Sequence, residues 1–420
     1  MIETKTLLPG VTLRSCRDDR FKQGCLSFQL VRPMAKEESA KNVLIPSVLL
    51  RGTKRCPDLR AITENLDELY GASVSPLVRR VGDYQTTGLY CGFMDDRFAL
   101  PGDRVLAPML RFLEEILLDF PTEGEGFLPA FVEGEKKNLI STIDSELNDK
   151  RTYAMGKLLK TMCRGDSFGL PRLGEPEVAA IDPAGLLTHY RKILRESRIE
   201  IFYVGSAPAE AVAEYISPLV SRLGGREGLL PPQTPFHPCP GQDVTETMEV
   251  SQGKLCMGFV TPIVNRDKEF PAMQVFNTVF GAGMTSKLFL NVREAMSLCY
   301  SIGSSYYGAK GILTVGAGID FDKERLTRDE ILRQLDACRR GEITQEELTA
   351  GKEALLSSLR ATSDSPGAIE GYYATAHLSG LNMTPERYME VVEKGSLADV
   401  VAAVRTVTLH STYFLKGESQ

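Results

Sequence analysis

The sequence predicts an α+β protein of two similar domains, each a mostly antiparallel sheet with helices packed on one face. Three observations carry this. Residues 24–33, GCLSFQLVRP, and residues 253–262, GKLCMGFVTP, align without a gap and share Gly, Leu, Val and Pro. Each is followed by the same succession of a charged turn, two helices and a hairpin. Between the copies, residues 221–242 hold Pro231, Pro232, Pro235, Pro238 and Pro240 among four glycines, a composition that does not sustain helix or strand. The expected division is a first domain at 1–220, a linker at 221–242 and a second domain at 243–420.

In the first copy, residues 11–15 and 24–33 read as strands. Residues 39–50 read as a helix interrupted at Pro46, since proline removes a backbone donor. Asp58 is placed to cap a helix with Leu59, Ile62, Leu66 and Leu69 on one stripe and Gly71 as its stop. Alternation predicts a hairpin, 72–80 with 86–94, turning at Gly82-Asp83. The spacing of Val105, Leu106, Met109, Leu110, Leu113, Ile116 and Leu117 predicts a helix over 103–118. Further helices fit 128–147, 151–163 and 183–195, and residues 198–205, RIEIFYVG, close the domain as a strand. In the second copy the Gly281-Ala282-Gly283 turn leads into a short helix. Thr285 or Ser286 is its expected N-cap, and Leu288, Val292 and Ala295 share one face. A hairpin follows, 298–307 with 312–319, in which Leu298, Tyr300 and Ile302 alternate against Cys299, Ser301 and Gly303. Helices at 325–338, 344–363, 366–378 and 396–406 precede a closing strand at 411–417.

The chain has 420 residues, 43% of them hydrophobic, and a net charge of −6 from 49 basic and 55 acidic residues. This balance, with no long basic run, argues against a nucleic-acid surface. The N-terminus has no apolar core of signal-peptide length, and no stretch approaches the ~18 apolar residues of a membrane span. Nine cysteines without a Cys-x-x-Cys pair fit reduced thiols, so a cytoplasmic location is expected. Residues 281–287, GAGMTSK, lack the spacing of a phosphate loop and read as a tight connection between helices.

The element order, with MTSKLFLNVREAMSLCY at 284–300, resembles the pitrilysin/insulinase metallopeptidase family over nearly the whole chain. LLRGT at 49–53 is similar to the segment directly after that family's inverted zinc motif. GEPEVAAI at 174–181 resembles the end of its first domain. The resemblance implies an insulinase/LuxS-like half-shell. Active members carry His-x-x-Glu-His on a helix, with a later Glu completing the zinc site. Aligned on LLRGT, that motif falls on residues 43–47. Val43 and Ser47 replace the histidines, Pro46 replaces the glutamate, and the third ligand falls near Thr142. The only histidines are His189, His237, His377 and His410, and no two have zinc-motif spacing. The resemblance therefore implies a subunit without a catalytic metal, similar to the processing-peptidase alpha subunit. Zinc is expected only in a partner chain.

Seven positions separate Arg293 from Tyr300, as in the family's pair that binds substrate across the chamber. Arg offers up to five N–H donors and Tyr an O–H, both able to donate to the carbonyls of an extended peptide. Taken alone, the residues also allow a plainer reading: Arg293 paired with Glu294, and Tyr300 a sheet residue. The functional expectation is a non-catalytic subunit of a heterodimeric zinc peptidase. It would supply half a chamber and the Arg293/Tyr300 pair to a peptide substrate. The alternatives are a scaffold protein of the same fold, or a peptide-binding homodimer.

Overall fold

A computed structural model describes residues 2–169, 174–233, 236 and 239–417, with the side chains of residues 146 and 147 left aside. The chain divides into two units. The first comprises Met1–Ile143, Leu173–Pro232 and Ser363–Thr375, the second Asp144–Arg172, Gln233–Thr362 and Ala376–Gln420. Residues 144–172 and 363–375 thus each belong to the unit formed mainly by the other half of the sequence, a crossing that the 1–220 and 243–420 division does not include.

The first unit has a sheet of β1 (Ile2–Leu8), β2 (Val11–Arg17), β3 (Gln23–Pro33), β4 (Ser73–Val81), β5 (Tyr84–Met94) and β8 (Arg198–Gly205). The spatial order is β1-β2-β8-β3-β5-β4. All neighbours are antiparallel except β2 and β8. Leu13, Leu26, Phe28, Leu89 and Ile201 form its apolar face. Buried against them are residues of α1 (Lys36–Leu49), α3 (Leu106–Leu118), α7 (Pro183–Glu196) and α8 (Ala209–Leu223). Short strands β6 (Thr122–Glu123) and β7 (Gly126–Phe127) pair before α4 (Pro129–Asn148). Asp58 caps α2 (Leu59–Glu68) through the Ala61 N–H at 2.9 Å, as its position before the apolar stripe predicts.

Two expectations need correction here. Pro46 does not interrupt α1. The carbonyl it would have paired with, four residues back, is that of Asn42, and the Thr87 hydroxyl donates to that oxygen at 3.1 Å. The freed acceptor is satisfied from the neighbouring strand and the helix continues. The expected linker also starts too early, because residues 221–223 end α8. Arg226 then pins the chain: its N–H donates to the Pro9 carbonyl, and its guanidinium donates to the carbonyls of Leu194, Leu223 and Gly224. Pro235, His237 and Pro238 lie outside the described residues.

The second unit repeats the plan. Its strands are β9 (Asp243–Thr247), β10 (Gly253–Val260), β11 (Cys299–Tyr307), β12 (Ile312–Ile319) and β13 (Thr408–Lys416), ordered β11-β12-β10-β13-β9. β10 lies between the hairpin and the closing strand, as β3 does in the first unit, and β9 runs parallel to β13 as β2 does to β8. The internal repeat is therefore a repeat of topology. Helices α9 (Phe270–Phe280), α10 (Glu324–Arg340), α11 (Gln345–Ala361), α13 (Pro385–Lys394) and α14 (Leu397–Val404) accompany this sheet.

Each crossing segment carries a helix. In the second unit, α5 (Lys150–Met162) buries Ala154, Leu158 and Met162 against Cys256, Ile312, Tyr413 and Leu415. A Cβ at Gly258 would lie 2.0 Å from the Met162 Sδ, so this close approach requires glycine. In the first unit, α12 (Pro366–Ser379) places Ile369 and Ala374 against Cys16, Cys25, Phe202 and Val204.

Candidate functional site

The site grows from an irregular helix. Residues Leu288–Ala295 form a π-helix, in which the Met296 N–H reaches the Asn291 carbonyl, five residues back, at 3.2 Å. The Asn291 side chain donates to Gln334 on α10 at 2.9 Å and ties the widened turn down. Leu288 and Val292 are buried as expected, but the wider turn leaves Ala295 exposed. At the start, Ser286 Oγ accepts the Phe289 N–H at 3.4 Å and donates to the Gly283 carbonyl at 2.7 Å. At the end, Leu298 N–H bonds to the Val292 carbonyl and Ser297 N–H to that of Arg293, with Ser297 at φ +48°. These bonds each span one residue more than those of a Schellman stop, and the left-handed position that ends the helix holds serine in place of glycine.

The strand that follows does not alternate simply. Cys299 pairs with Ile319 and Ser301 with Gly318, so two steps on β11 match one on β12. Tyr300 is the extra residue of this β-bulge and stands 61% exposed. Leu298 and Cys299 are both buried, which the expected alternation of 298, 300 and 302 excludes.

Arg293, Ser297, Cys299 and Tyr300 line one open cleft of about 300 Å³, together with Asp320 and Lys323. The Arg293 guanidinium lies 4.6 Å from the centre of the Phe289 ring and 3.4 Å from Glu294. The Tyr300 hydroxyl donates to Asp320 at 2.9 Å, Lys323 pairs with Asp320 at 2.8 Å, and Lys323 also donates to the Ser297 carbonyl at 3.3 Å. Asp320 and Lys323 therefore connect the end of the Arg293 helix to Tyr300. Lys323 and the Tyr300 hydroxyl hold the Asp320 carboxyl below its ordinary range, and Asp320 raises both partners. Burial pushes the Cys299 thiol up to about 11, so it stays a neutral thiol. From the sequence, Asp320 and Asp322 read as the end of a strand and the cap of the next helix, without a part in the site. Its contact with Tyr300 depends on the bulge, which leaves no mark in the residue pattern.

The edge strand β11 is free over only part of its length. Ser304 N–H donates to the Gly281 carbonyl at 3.0 Å, so the Gly281-Ala282-Gly283 turn covers the edge there. A Cβ at Gly281 would meet Ser304 Oγ at 2.6 Å.

The positions of the family's zinc motif lie in the first unit. Val43 and Ser47 are half-buried on α1 and Pro46 is buried, while Thr142 on α4 is exposed and donates to the Asn138 carbonyl at 3.0 Å. Val43 and Pro46 offer no donor atom to zinc, and Ser47 and Thr142 offer hydroxyls where the metal takes imidazole and carboxylate. These residues do not fit the metal. Glu135, seven residues before Thr142, is bound to Arg51 at 3.2 Å. Among the described residues no group of three His, Cys, Asp or Glu side chains is placed to hold a metal. Asn42, just before the motif position, is locked in a buried chain. His189 Nε2–H donates to Asn42 at 2.8 Å, and Asn42 donates to Gln85 at 2.9 Å. Burial pulls the His189 pKa down to about 4.

Two sheet-and-helix units of one topology, with a cleft bearing Arg293 and Tyr300 in the second and no zinc-ligand chemistry at 43–47 in the first, accord with the resemblance to a pitrilysin-like half-enzyme. The profile described as "Peptidase M16 inactive domain" matches residues 180–355. A Bacillus subtilis protein named "Probable inactive metalloprotease YmfF" is 28% identical over 416 residues, 99% of this chain and 98% of its own length. A solved structure of a conserved protein from Enterococcus faecalis V583 superposes with a TM-score of 0.91 at 26% identity, covering 100% of this chain and 99% of that one. The peptidase M16 inactive domain of Pseudomonas fluorescens, at 16% identity and TM-score 0.81 over 100% and 98% of the two chains, has the same fold. The chain is thus similar to proteins described as inactive members of the M16 peptidase family. No described helix is long and apolar enough to cross a membrane.

Proposed function

We propose that this chain is the non-catalytic subunit of a heterodimeric zinc peptidase and that it holds an extended peptide through Arg293 and Tyr300. The observation that carries this reading is the convergence of both donors on one open cleft at the start of a free strand edge. A peptide laid along that edge offers carbonyls at regular intervals to such donors. Zinc belongs to the partner, a pitrilysin-like chain with His-x-x-Glu-His, because the positions here carry no suitable ligands. The contacts of Arg293 with Glu294 and Phe289, and of Tyr300 with Asp320, also fit a scaffold protein of the same fold or a peptide-binding homodimer.

Reconstitution with a zinc-motif partner separates these readings. Light scattering should find a 1:1 species, and metal analysis should find zinc in the partner alone. In the reconstituted pair, Tyr300→Phe should lower kcat/KM about threefold to tenfold and Arg293→Ala about tenfold to a hundredfold, with the 1:1 species intact. Full activity in both variants leaves Arg293 and Tyr300 as structural residues, and a strictly monomeric profile of the mixed chains selects the scaffold reading. A self-associated chain that takes up peptide but no partner selects the homodimer.

A further inference from the structure

The sheet of the second unit has a second opening beside the Arg293/Tyr300 cleft. It is a trough of about 470 Å³ with β11 and β12 as floor and α5 as wall. Along β11, residues 301, 303 and 305 share the face turned to this trough, and Ser304 turns to the other, where its hydroxyl bonds Asn277 at 2.7 Å. The trough stays open because its lining is small. A Cβ at Gly156 would meet nothing within 4 Å, and one at Gly303 only the Gly281 carbonyl at 3.6 Å.

The lining also has a sign. It contains Arg151 and the hydroxyls of Ser301 and Ser305, and none of the described residues lining it is a carboxylate. Arg151 is the second residue of α5 and exposed. A cation there opposes the helix dipole, so helix stability does not account for it. The acid in its field is Asp149, whose carboxylate is engaged as the cap of α5 by the N–H groups of Arg151 and Thr152 and by the Thr152 hydroxyl. Lys254, on β10, is close enough to feel both charges. Among the described residues, Arg151 and Lys254 against one engaged acid leave the mouth of the trough positive. The Arg293/Tyr300 cleft differs, since Glu294 and Asp320 stand there among the basic groups.

We infer that the trough is a side-chain subsite for an acidic residue of the extended peptide, recognised by Arg151. The inference rests on the peptide-binding reading of Arg293 and Tyr300. A strand rises about 3.3 Å per residue, so Tyr300 to Gly303, the part of the edge before the covering turn, spans about 10 Å. A peptide fixed at the cleft and running along this part of β11 places its acidic side chain about one to three residues away. Recognition is of an aspartate or glutamate in an extended segment, with small neighbours that fit the glycine-lined floor.

The test uses the full chain and labelled ten-residue peptides of Ala, Val and Thr, with one Asp scanned along the length against matched Asn peptides. Binding is read by fluorescence anisotropy. At one register Asp should bind about threefold to tenfold tighter than Asn. Arg151→Glu should abolish or invert that preference. Gly156→Leu, which fills the trough without changing charge, should weaken both peptides at that register. Equal Asp and Asn affinities at every position, or a preference that survives Arg151→Glu, overturns the subsite while peptide binding stands. No binding of any peptide by the unaltered chain overturns the peptide-binding reading itself, and the subsite with it.

Discussion

Each sheet carries, on the face away from its main helices, a helix from the other half of the sequence, and the two faces are finished differently. In the first unit α12 closes the face around a buried ion pair. Glu370 is fully buried and accepts from Arg79 at 2.8 and 2.5 Å, from Ser27 at 2.6 Å and from Gln29 at 3.2 Å. In the second unit α5 buries its apolar residues over β10 and β13 but leaves β11 and the near part of β12 under an open trough. One topology thus yields a sealed face and an accessible one. The difference lies in a handful of side chains: a carboxylate clamped by Arg79 on one side, Gly303, Gly316 and two serines on the other. A buried charge with its partners costs little, but alone it is expensive, so the sealed face should be intolerant and the open one permissive.

The largest expected effect follows from that asymmetry. Arg79→Ala leaves the Glu370 carboxylate buried without its cation and should cost about 3–5 kcal/mol of unfolding free energy, measured by urea denaturation. Arg151→Ala, on the open face, should cost less than about 0.5 kcal/mol. Similar losses in both variants would erase the distinction between the faces.

The next effect is a pH dependence confined to the first unit. His189 has a folded pKa of about 4 against an ordinary value of about 6.5, so between these pH values the unfolded chain binds the proton that the folded chain refuses. Its contribution is intact above about pH 6.5 and is lost as the pH falls toward 4, by up to about 3 kcal/mol. His189→Gln should flatten denaturation midpoints over that interval. An unchanged slope would remove His189 from the account.

The smallest effect sharpens the cleft. Ser297 holds the left-handed position that glycine occupies without strain. Ser297→Gly should therefore raise stability by about 0.5–1 kcal/mol, seen as a higher melting temperature. A fall would mean that the serine side chain supports the turn.

Much of the fold is legible in the sequence because regular elements announce themselves. The Asp58 cap, both hairpins and the β3/β10 repeat follow from spacing alone. The sequence reading misses, among other elements, β1, α8, β9 and α13. Pro208 and Pro218 mask α8, and Pro218 lies inside that helix. The crossing of α5 and α12 is not legible: an apolar stripe says that a helix is buried, but not against which sheet. Glu370 meets Arg79 across 291 positions, and no local pattern couples them. At the site, the resemblance locates Arg293 and Tyr300 on one cleft. The π-turn and the bulge that aim them are one-residue irregularities, set by backbone hydrogen bonds and not by residue type, and with them Asp320 and Lys323 stay hidden.

The most direct test of the contrast between the faces is amide hydrogen exchange of the full chain with and without an acidic peptide. The account predicts slower exchange confined to 300–303 on β11 and to the first turns of α5, with 25–29 on β3 and 75–79 on β4 protected alike in both states. Protection gained on β3 and β4, with none on β11, would contradict it.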